Sequence, residues 1–365
     1  MPRVLCLTVY SDRAEAASLV GLVERGFEIT VMYPREAPYR QLFIDGGLDV
    51  IDLNVTGNID RNAIRAIRRE LQRKHYDIVH TFSNKTITNA LLATRGMDIR
   101  IVAYRGIVGN VGFLDPMSWL RYLHPRVDRI ICVADAIRDY FLAMGFLGLK
   151  IRKEKPVTIH KGHDLAWYKD RPADLGQFDI PSNAFVVGCV ANTRPRKGLP
   201  VLIAAADFLP VDANIYFLLV GDMDNDDLRC VIRASPYRDR IRLAGYRQDA
   251  PALMAACDCI VLPALRREGL PKVIIEAMAY ATAPIVTDSG GSPELVIDNE
   301  SGLVVQPGSA EAIAVAIRRL FDDRDYCRAM GVMAQQRIRD NFRVEDTVTK
   351  TAALYRDLLA SHRKA

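Results

Sequence analysis

The chain has no run of about 18 apolar residues, so no segment reads as a helix that crosses a bilayer. Its first residues, Met1-Pro2-Arg3-Val4-Leu5-Cys6-Leu7, enter a β-type stretch directly, with neither the apolar core of a signal peptide nor a small-residue cleavage site. Seven cysteines occur without a C-x-x-C pair, and Cys6, Cys132, Cys189 and Cys259 lie inside apolar runs where a small buried thiol is expected. A reducing, cytoplasmic setting fits that usage. No G-x-G-x-x-G follows a strand-like run and no Walker A motif occurs, which argues against a nicotinamide oxidoreductase and a P-loop ATPase. A basic stripe with interleaved aromatics is also missing, so nucleic acid is not an expected partner.

What is present is a 365-residue chain, half apolar and a quarter charged, longer than one hydrophobic core usually serves. Charge is uneven. Residues 1–170 carry 25 Lys and Arg against 19 Asp and Glu, a net +6, whereas residues 171–365 carry 24 against 25. A basic first half suits an anionic partner, such as a phospholipid surface or a phosphorylated acceptor. Short β-branched runs alternate with longer amphipathic ones. Strands are expected at Val4–Tyr10, Glu28–Tyr33, Asp77–Thr81, Arg100–Tyr104 and Arg129–Ala134, then at Phe185–Ala191, Ile215–Gly221, Arg240–Ala244, Asp258–Pro263, Pro284–Thr287 and Leu303–Val305. Helices are expected over stretches such as Ile59–Lys74, Leu199–Phe208, Ala310–Phe321 and Arg324–Asp340. This alternation predicts an α/β protein with two doubly wound parallel-sheet domains, residues 1–165 and 166–344, facing across a cleft. The polar, turn-rich run 161–183 reads as the linker, and the last helical stretch, within 345–365, as one that crosses back to the first domain.

Three segments at expected strand ends carry chemistry. The first is Arg266-Arg267-Glu268-Gly269-Leu270-Pro271-Lys272-Val273-Ile274-Ile275-Glu276. Pro271 suits the first position of a helix, and the amides that follow would present open donors to phosphate or sugar oxygens. Glu268 before the helix and Glu276 within it, about 7.5 Å along the axis from Pro271 at 1.5 Å per residue, can address different parts of one elongated ligand. The alternative for Glu276 is an ordinary cap or ion pair; between Ile275 and Ala277 that would be an odd choice. The second segment is Asn192-Thr193-Arg194-Pro195-Arg196-Lys197-Gly198, whose three cations can neutralise a diphosphate leaving group, though such cations are also common on solvated loops. The third, Thr287-Asp288-Ser289-Gly290-Gly291-Ser292, cradles an anion or simply makes a turn.

In order and spacing these segments, with Ala244-Gly245-Tyr246 and the Gly302 region, resemble the donor-binding domain of the GT-B fold, retaining glycosyltransferases of family 4. The resemblance is close over about 185–310 and looser elsewhere. It implies two Rossmann-like domains and transfer of a sugar from a nucleoside-diphosphate sugar to an acceptor hydroxyl with retention. It also implies roles: Glu268 on the donor sugar's hydroxyls with the main chain of Gly269, Leu270 and Pro271, Glu276 on the ribose, Lys197 on the diphosphate, and the main chain around Tyr246 and Arg247 beside the base. The family's usual arginine falls on Asn192 here, so Arg194 or Arg196 takes its place. Catalysis is then assigned to Lys197, Glu268 and Arg105, the last standing where relatives often carry a histidine after the strand ending at Tyr104; the alternative for Arg105 is a cleft-edge arginine without a catalytic role. The Gly-rich turn that relatives carry after the first strand is replaced by Tyr10-Ser11-Asp12-Arg13.

No cofactor and no metal are expected. Asp222-Met223-Asp224 matches the D-x-D form that holds a cation in another glycosyltransferase architecture, but beside Asn225-Asp226-Asp227 it reads as an acidic cap of the next helix. His160, His163 and Asp164 lack a further ligand for a metal cluster. The acceptor is expected to be a glycan or lipid-linked molecule, as in lipopolysaccharide or other cell-surface glycan synthesis. Peripheral membrane contact is expected through cation-rich, partly apolar segments of the first domain, Trp119–Arg126 and Lys150–Lys155. Two other occupants of the same fold stay open: a nucleotide-sugar epimerase or hydrolase, and a non-catalytic sugar-nucleotide-binding protein. A glycosidase using Glu268 and Glu276 is remote, because a cationic diphosphate loop would have no purpose there.

Overall fold

The computed structural model describes residues 1–223 and 225–362. They form two compact units: Met1–Gly162 with the segment from Phe342 onward, and His163–Asn341. The first holds β1 (Arg3–Leu7), β2 (Glu28–Tyr33), β3 (Asp49–Asp52), β4 (Ile78–Thr81), β5 (Arg100–Arg105) and β6 (Arg129–Cys132). A two-strand hairpin, β7 (Gly145–Phe146) and β8 (Leu149–Lys150), precedes β9 (Pro156–Thr158). Apart from the hairpin these pair in parallel in the order β3-β2-β1-β4-β5-β6-β9. The second unit contains β10 (Phe185–Val190), β11 (Ile215–Val220), β12 (Ile241–Gly245), β13 (Cys259–Leu262), β14 (Ala283–Thr287) and β15 (Leu303–Val305), parallel in the order β12-β11-β10-β13-β14-β15.

Both sheets are therefore doubly wound, with the strand order reversing between β1 and β4 and again between β10 and β13. At such a switch point two successive crossovers leave in opposite directions, and a crevice opens outside the carboxyl ends of the two strands. The central strands are apolar on both faces because helices cover both. Val187, Cys189, Phe217, Leu219, Val261 and Ile285 are wholly buried, against helix residues such as Leu202, Ile203, Ile313 and Ile317. Cys6, Cys132, Cys189 and Cys259 are all buried, and burial pushes the Cys132 and Cys189 thiols up to about 12.

The last helix, Val344–His362, lays Val348, Ala352, Tyr355 and Leu358 on the first unit's core, a stripe at the period of one helix face. The Tyr355 ring meets Phe27 edge-on at 5.4 Å, and its hydroxyl bonds Nδ1 of the buried His80 at 2.6 Å. The stretch read as a linker is largely fastened to the second unit: Ala173 N–H donates to Ala252 O at 3.0 Å, and Arg242 Nε to Phe178 O at 2.7 Å. Among the described residues no helix is long and apolar enough to cross a membrane.

Candidate functional site

The loop after β10 folds on its own side chains. Asn192 Oδ1 accepts from Arg194 N–H at 3.3 Å, and Pro195–Lys197 make a single 3-10 turn. Gly198 then starts the helix Leu199–Ala205 at φ +70, where a Cβ would stand 2.0 Å from Pro263 O. Only glycine permits that approach. One residue pair secures the junction: Leu265 N–H donates to Arg196 O at 2.8 Å. The cationic loop is thus bound to the segment leaving β13, across the switch point of the second sheet.

Glu268 is where these segments converge. The residue is only 5% exposed, and its Oε1 lies 2.9 Å from Lys197 Nζ and 3.7 Å from Arg196 Nη1. Arg196 also donates to Arg267 O at 3.3 Å. Arg267 itself sits at φ +64, a left-handed conformation that costs a non-glycine residue about 1 kcal/mol or more. On the other side Gly290 presses against Glu268, such that a Cβ would lie 2.1 Å from Glu268 O. The glycine turn after β14 therefore shapes the main chain that carries Glu268.

The helix Lys272–Ala279 follows. Pro271 is its N-cap (φ −71, ψ 111), one residue earlier than the first helical position expected from sequence, because its carbonyl receives the Ile274 and Ile275 amides at 3.1 and 3.3 Å. Helix starts leave their first amides without intrahelical acceptors, and this one begins four residues after Glu268. Glu276 is half-buried and meets Lys272 Nζ at 2.8 Å, one turn back. The ion pair weighed as the alternative reading is thus present, on a helix whose Ile274, Ile275, Ala277 and Met278 are buried.

Beyond β12, Gly221 N–H donates to Gly245 O at 2.8 Å and holds two strand ends together. Tyr246 is exposed, while Arg247 forks onto Asp249 with two bonds of 2.7 Å. Its side chain is committed, so the main chain at 246–247 is what this loop offers a ligand. Of the acidic tripeptide, Asp224 lies outside the described residues; Met223 is buried, and Asn225 caps the helix Asp226–Ala234 through Leu228 N–H at 2.8 Å.

In the first unit Arg105 closes β5. It is 4% exposed, donates from Nε to Ile107 O at 3.0 Å and from Nη2 to Gly109 O, and lies over the Tyr122 ring at 5.0 Å. The guanidinium holds its own loop together. A group the sequence reading did not single out lies at this unit's switch point: Lys161 Nζ meets Asp12 Oδ2 at 2.7 Å, Glu15 Oε1 at 2.8 Å and the Tyr104 ring at 5.6 Å. Burial alone would lower the lysine's pKa, but Tyr104, Glu15 and Asp12 outweigh it and hold the ammonium charged. Asp12 and Lys161 are 149 residues apart, and neither carries a motif that would have paired them.

Comparison with known proteins bears on the family and the fold. The family model of Glycosyltransferase Family 4 matches residues 19–167, and that of Glycosyl transferases group 1 matches residues 170–337. The chain is 26% identical, over 323 residues, to the Escherichia coli UDP-Gal:alpha-D-GlcNAc-diphosphoundecaprenol alpha-1,3-galactosyltransferase, covering 83% of this chain and 81% of that one. It is 25% identical over 320 residues to the phosphatidyl-myo-inositol mannosyltransferase of Mycolicibacterium smegmatis, covering 84% and 80%. Among solved structures, Anabaena HepE in complex with UDP and glucose superposes with a TM-score of 0.79 at 21% identity, over 98% of this chain and all of the other. A glycosyltransferase from Rickettsia africae superposes at 0.80 and 20% identity, over 98% of each. With a doubly wound sheet in each unit and family matches that together take in most of its length, the chain belongs to the family 4, group 1 glycosyltransferases of the GT-B fold.

Proposed function

We propose that the second unit binds a nucleoside-diphosphate sugar and that the enzyme transfers its glycosyl group, with retention, to a hydroxyl of a lipid-linked or lipopolysaccharide-type acceptor. The observation that carries the reading is the Lys197–Glu268 pair, 2.9 Å apart at the carboxyl ends of β10 and β13. The pair holds one cation and one carboxylate ready for opposite ends of one ligand. On this reading the diphosphate takes Lys197, with Arg196 or Arg194 beside it, and the sugar hydroxyls take Glu268 and the main chain of Gly269–Pro271. Glu276 turns from Lys272 to the ribose, and the main chain at Tyr246 and Arg247 meets the base. The cations and the helix start then stabilise charge on the departing diphosphate, the part of such a reaction where preorganised donors contribute most. Relatives named for undecaprenol-diphosphate and phosphatidylinositol acceptors support the acceptor class.

The test is a thermal-shift screen against UDP, GDP, ADP, CMP and their sugar conjugates, with Glu276→Ala as control. A ligand at 100 times its dissociation constant stabilises by about 2.7 kcal/mol. One nucleotide class should raise the melting temperature of the wild type and not of the variant. Folded protein that responds to none of them overturns the donor site.

A further inference from the structure

The hairpin β7–β8 breaks a local rule in plain view of solvent. Its two strands pair Gly145 with Lys150 and Phe146 with Leu149, leaving a two-residue turn at Leu147-Gly148. Both turn residues have positive φ, +47 at Leu147 and +81 at Gly148, which defines a type I′ turn. Asn or Asp normally fills the first position, since a leucine at positive φ is strained. Leu147 gains no burial in exchange: it is 87% exposed, and Leu142, Phe146 and Leu149 around it are exposed as well. Single exposed leucines are ordinary, but an apolar tip held on a strained turn marks an interaction surface.

The partner's chemistry follows from what flanks the tip. Lys150, Arg152 and Lys153 come next, all exposed, and among the described residues none of them pairs with a carboxylate. Lys155 then turns inward and donates to His124 O at 2.8 Å, so this segment lies against the one carrying Trp119 and Leu120, which are exposed too. An apolar tip within a collar of cations fits an anionic bilayer: the tip enters the acyl boundary and the collar meets the headgroup phosphates. We propose that the Gly145–Lys150 hairpin is a membrane wedge that seats the first unit on anionic lipid. The inference stands independently of the donor assignment.

The decisive variant is Leu147→Asn. Asn-Gly is the favoured pair for this turn, so the variant keeps the hairpin and holds or raises the melting temperature. Co-sedimentation of the full chain is measured with vesicles of phosphatidylcholine plus phosphatidylglycerol and with phosphatidylcholine alone. The wild type is expected to bind the anionic vesicles, less at high salt, and to bind the neutral ones poorly. Leu147→Asn should bind about tenfold more weakly, the loss of one inserted leucine. Replacing Lys150, Arg152 and Lys153 together by Gln should weaken binding roughly a hundredfold, at about 1 kcal/mol per cation. The proposal is overturned if the wild type ignores anionic vesicles at low salt, or if Leu147→Asn binds as well as the wild type. A concentration-dependent dimer abolished by Leu147→Asn, with no vesicle binding, would place a second copy of the chain on the tip and likewise overturn it.

Discussion

The Lys197–Glu268 contact makes a prediction in which stability and ligand binding part company. Lys197→Met keeps the stem and removes the charge, which leaves Glu268, almost wholly buried, with Arg196 at 3.7 Å as its nearest cation. Removing one partner of a fully buried ion pair costs about 3–5 kcal/mol. The Lys197 side chain retains 15% exposure and Arg196 remains, so about 1–3 kcal/mol is expected here. Glu268→Gln should cost less, because the stranded lysine can reach water. The double variant has no stranded charge and should recover most of the loss, giving a coupling energy of about 1–2 kcal/mol. For a unit of this size each kcal/mol moves the melting temperature by about 2–4 °C, so Lys197→Met should melt visibly below the double variant. Nucleotide-induced stabilisation should follow the lysine alone: lost in Lys197→Met and in the double variant, and largely kept in Glu268→Gln, whose carboxylate meets the sugar and not the diphosphate. Urea titration gives the cycle and thermal shift with the responding nucleotide gives the binding. Additivity within 0.5 kcal/mol, the scatter of independent sites, would refute the pairing. A double variant that still transfers sugar would refute its use.

Three further outcomes are expected. Burial lowers the pKa of His80 to about 3, against about 6.5 for an exposed histidine, so the unfolded chain binds the extra proton and stability falls as the pH drops below about 6.5. The slope is about 1.4 kcal/mol per unit at most, so roughly 2 kcal/mol is lost by pH 5; His80→Gln should flatten urea-melt stabilities over that range, and an unchanged slope would place the acid sensitivity elsewhere. Arg105→Gln releases the Ile107 and Gly109 carbonyls and should lower the melting temperature by several degrees while the nucleotide-induced shift survives; lost turnover at an unchanged melting temperature would put the guanidinium in the chemistry instead. Because Lys197 and Arg196 meet the diphosphate's charge in the proposed reading, EDTA should leave turnover unaltered, and activity that returns only with a divalent cation would overturn that part of it.

The sequence made the fold legible wherever apolar periodicity was strong. All eleven expected strands are present, shifted by a few residues at their ends, as with Val4–Tyr10 against Arg3–Leu7. What escaped is short or weakly apolar. β3 is Asp49-Val50-Ile51-Asp52, an edge strand with two apolar residues between acids, and β9 is only Pro156-Val157-Thr158, an edge strand too short for alternation to show. The two-residue strands of the hairpin are too short for any alternation to appear. At the site, residue types at strand ends were readable, whereas their partners were not. Lys197 and Glu268 are 71 residues apart and meet because Leu265 N–H bonds Arg196 O and Gly198 lets Pro263 come close. Arg105 read as a cation at a strand end, and only the fold shows its donors turned back onto the carbonyls two and four residues on.

Both sheets offer a switch point, and what fills each explains why the chemistry is assigned to the second. In the second unit the loop after β10 brings Arg196 and Lys197 onto Glu268, four residues before the helix Lys272–Ala279. In the first unit the corresponding turn brings Asp12 and Glu15, and the chain supplies their cation itself, Lys161, from the segment after β9. A crevice already filled by two carboxylates and one internal ammonium has little to offer a diphosphate, and the missing Gly-rich turn agrees with that. Lys161 is on this account a built-in counter-ion. Lys161→Met should therefore strand Asp12 and Glu15 in mostly buried positions and destabilise the first unit by about 2–4 kcal/mol. Burial already raises the pKa of Glu15, and without its lysine the carboxyl should take up a proton readily, so the variant should regain stability as the pH falls toward 5. Nucleotide-induced stabilisation of the second unit should persist. If Lys161→Met abolishes nucleotide binding while the protein stays folded, the lysine serves the donor and is more than a counter-ion.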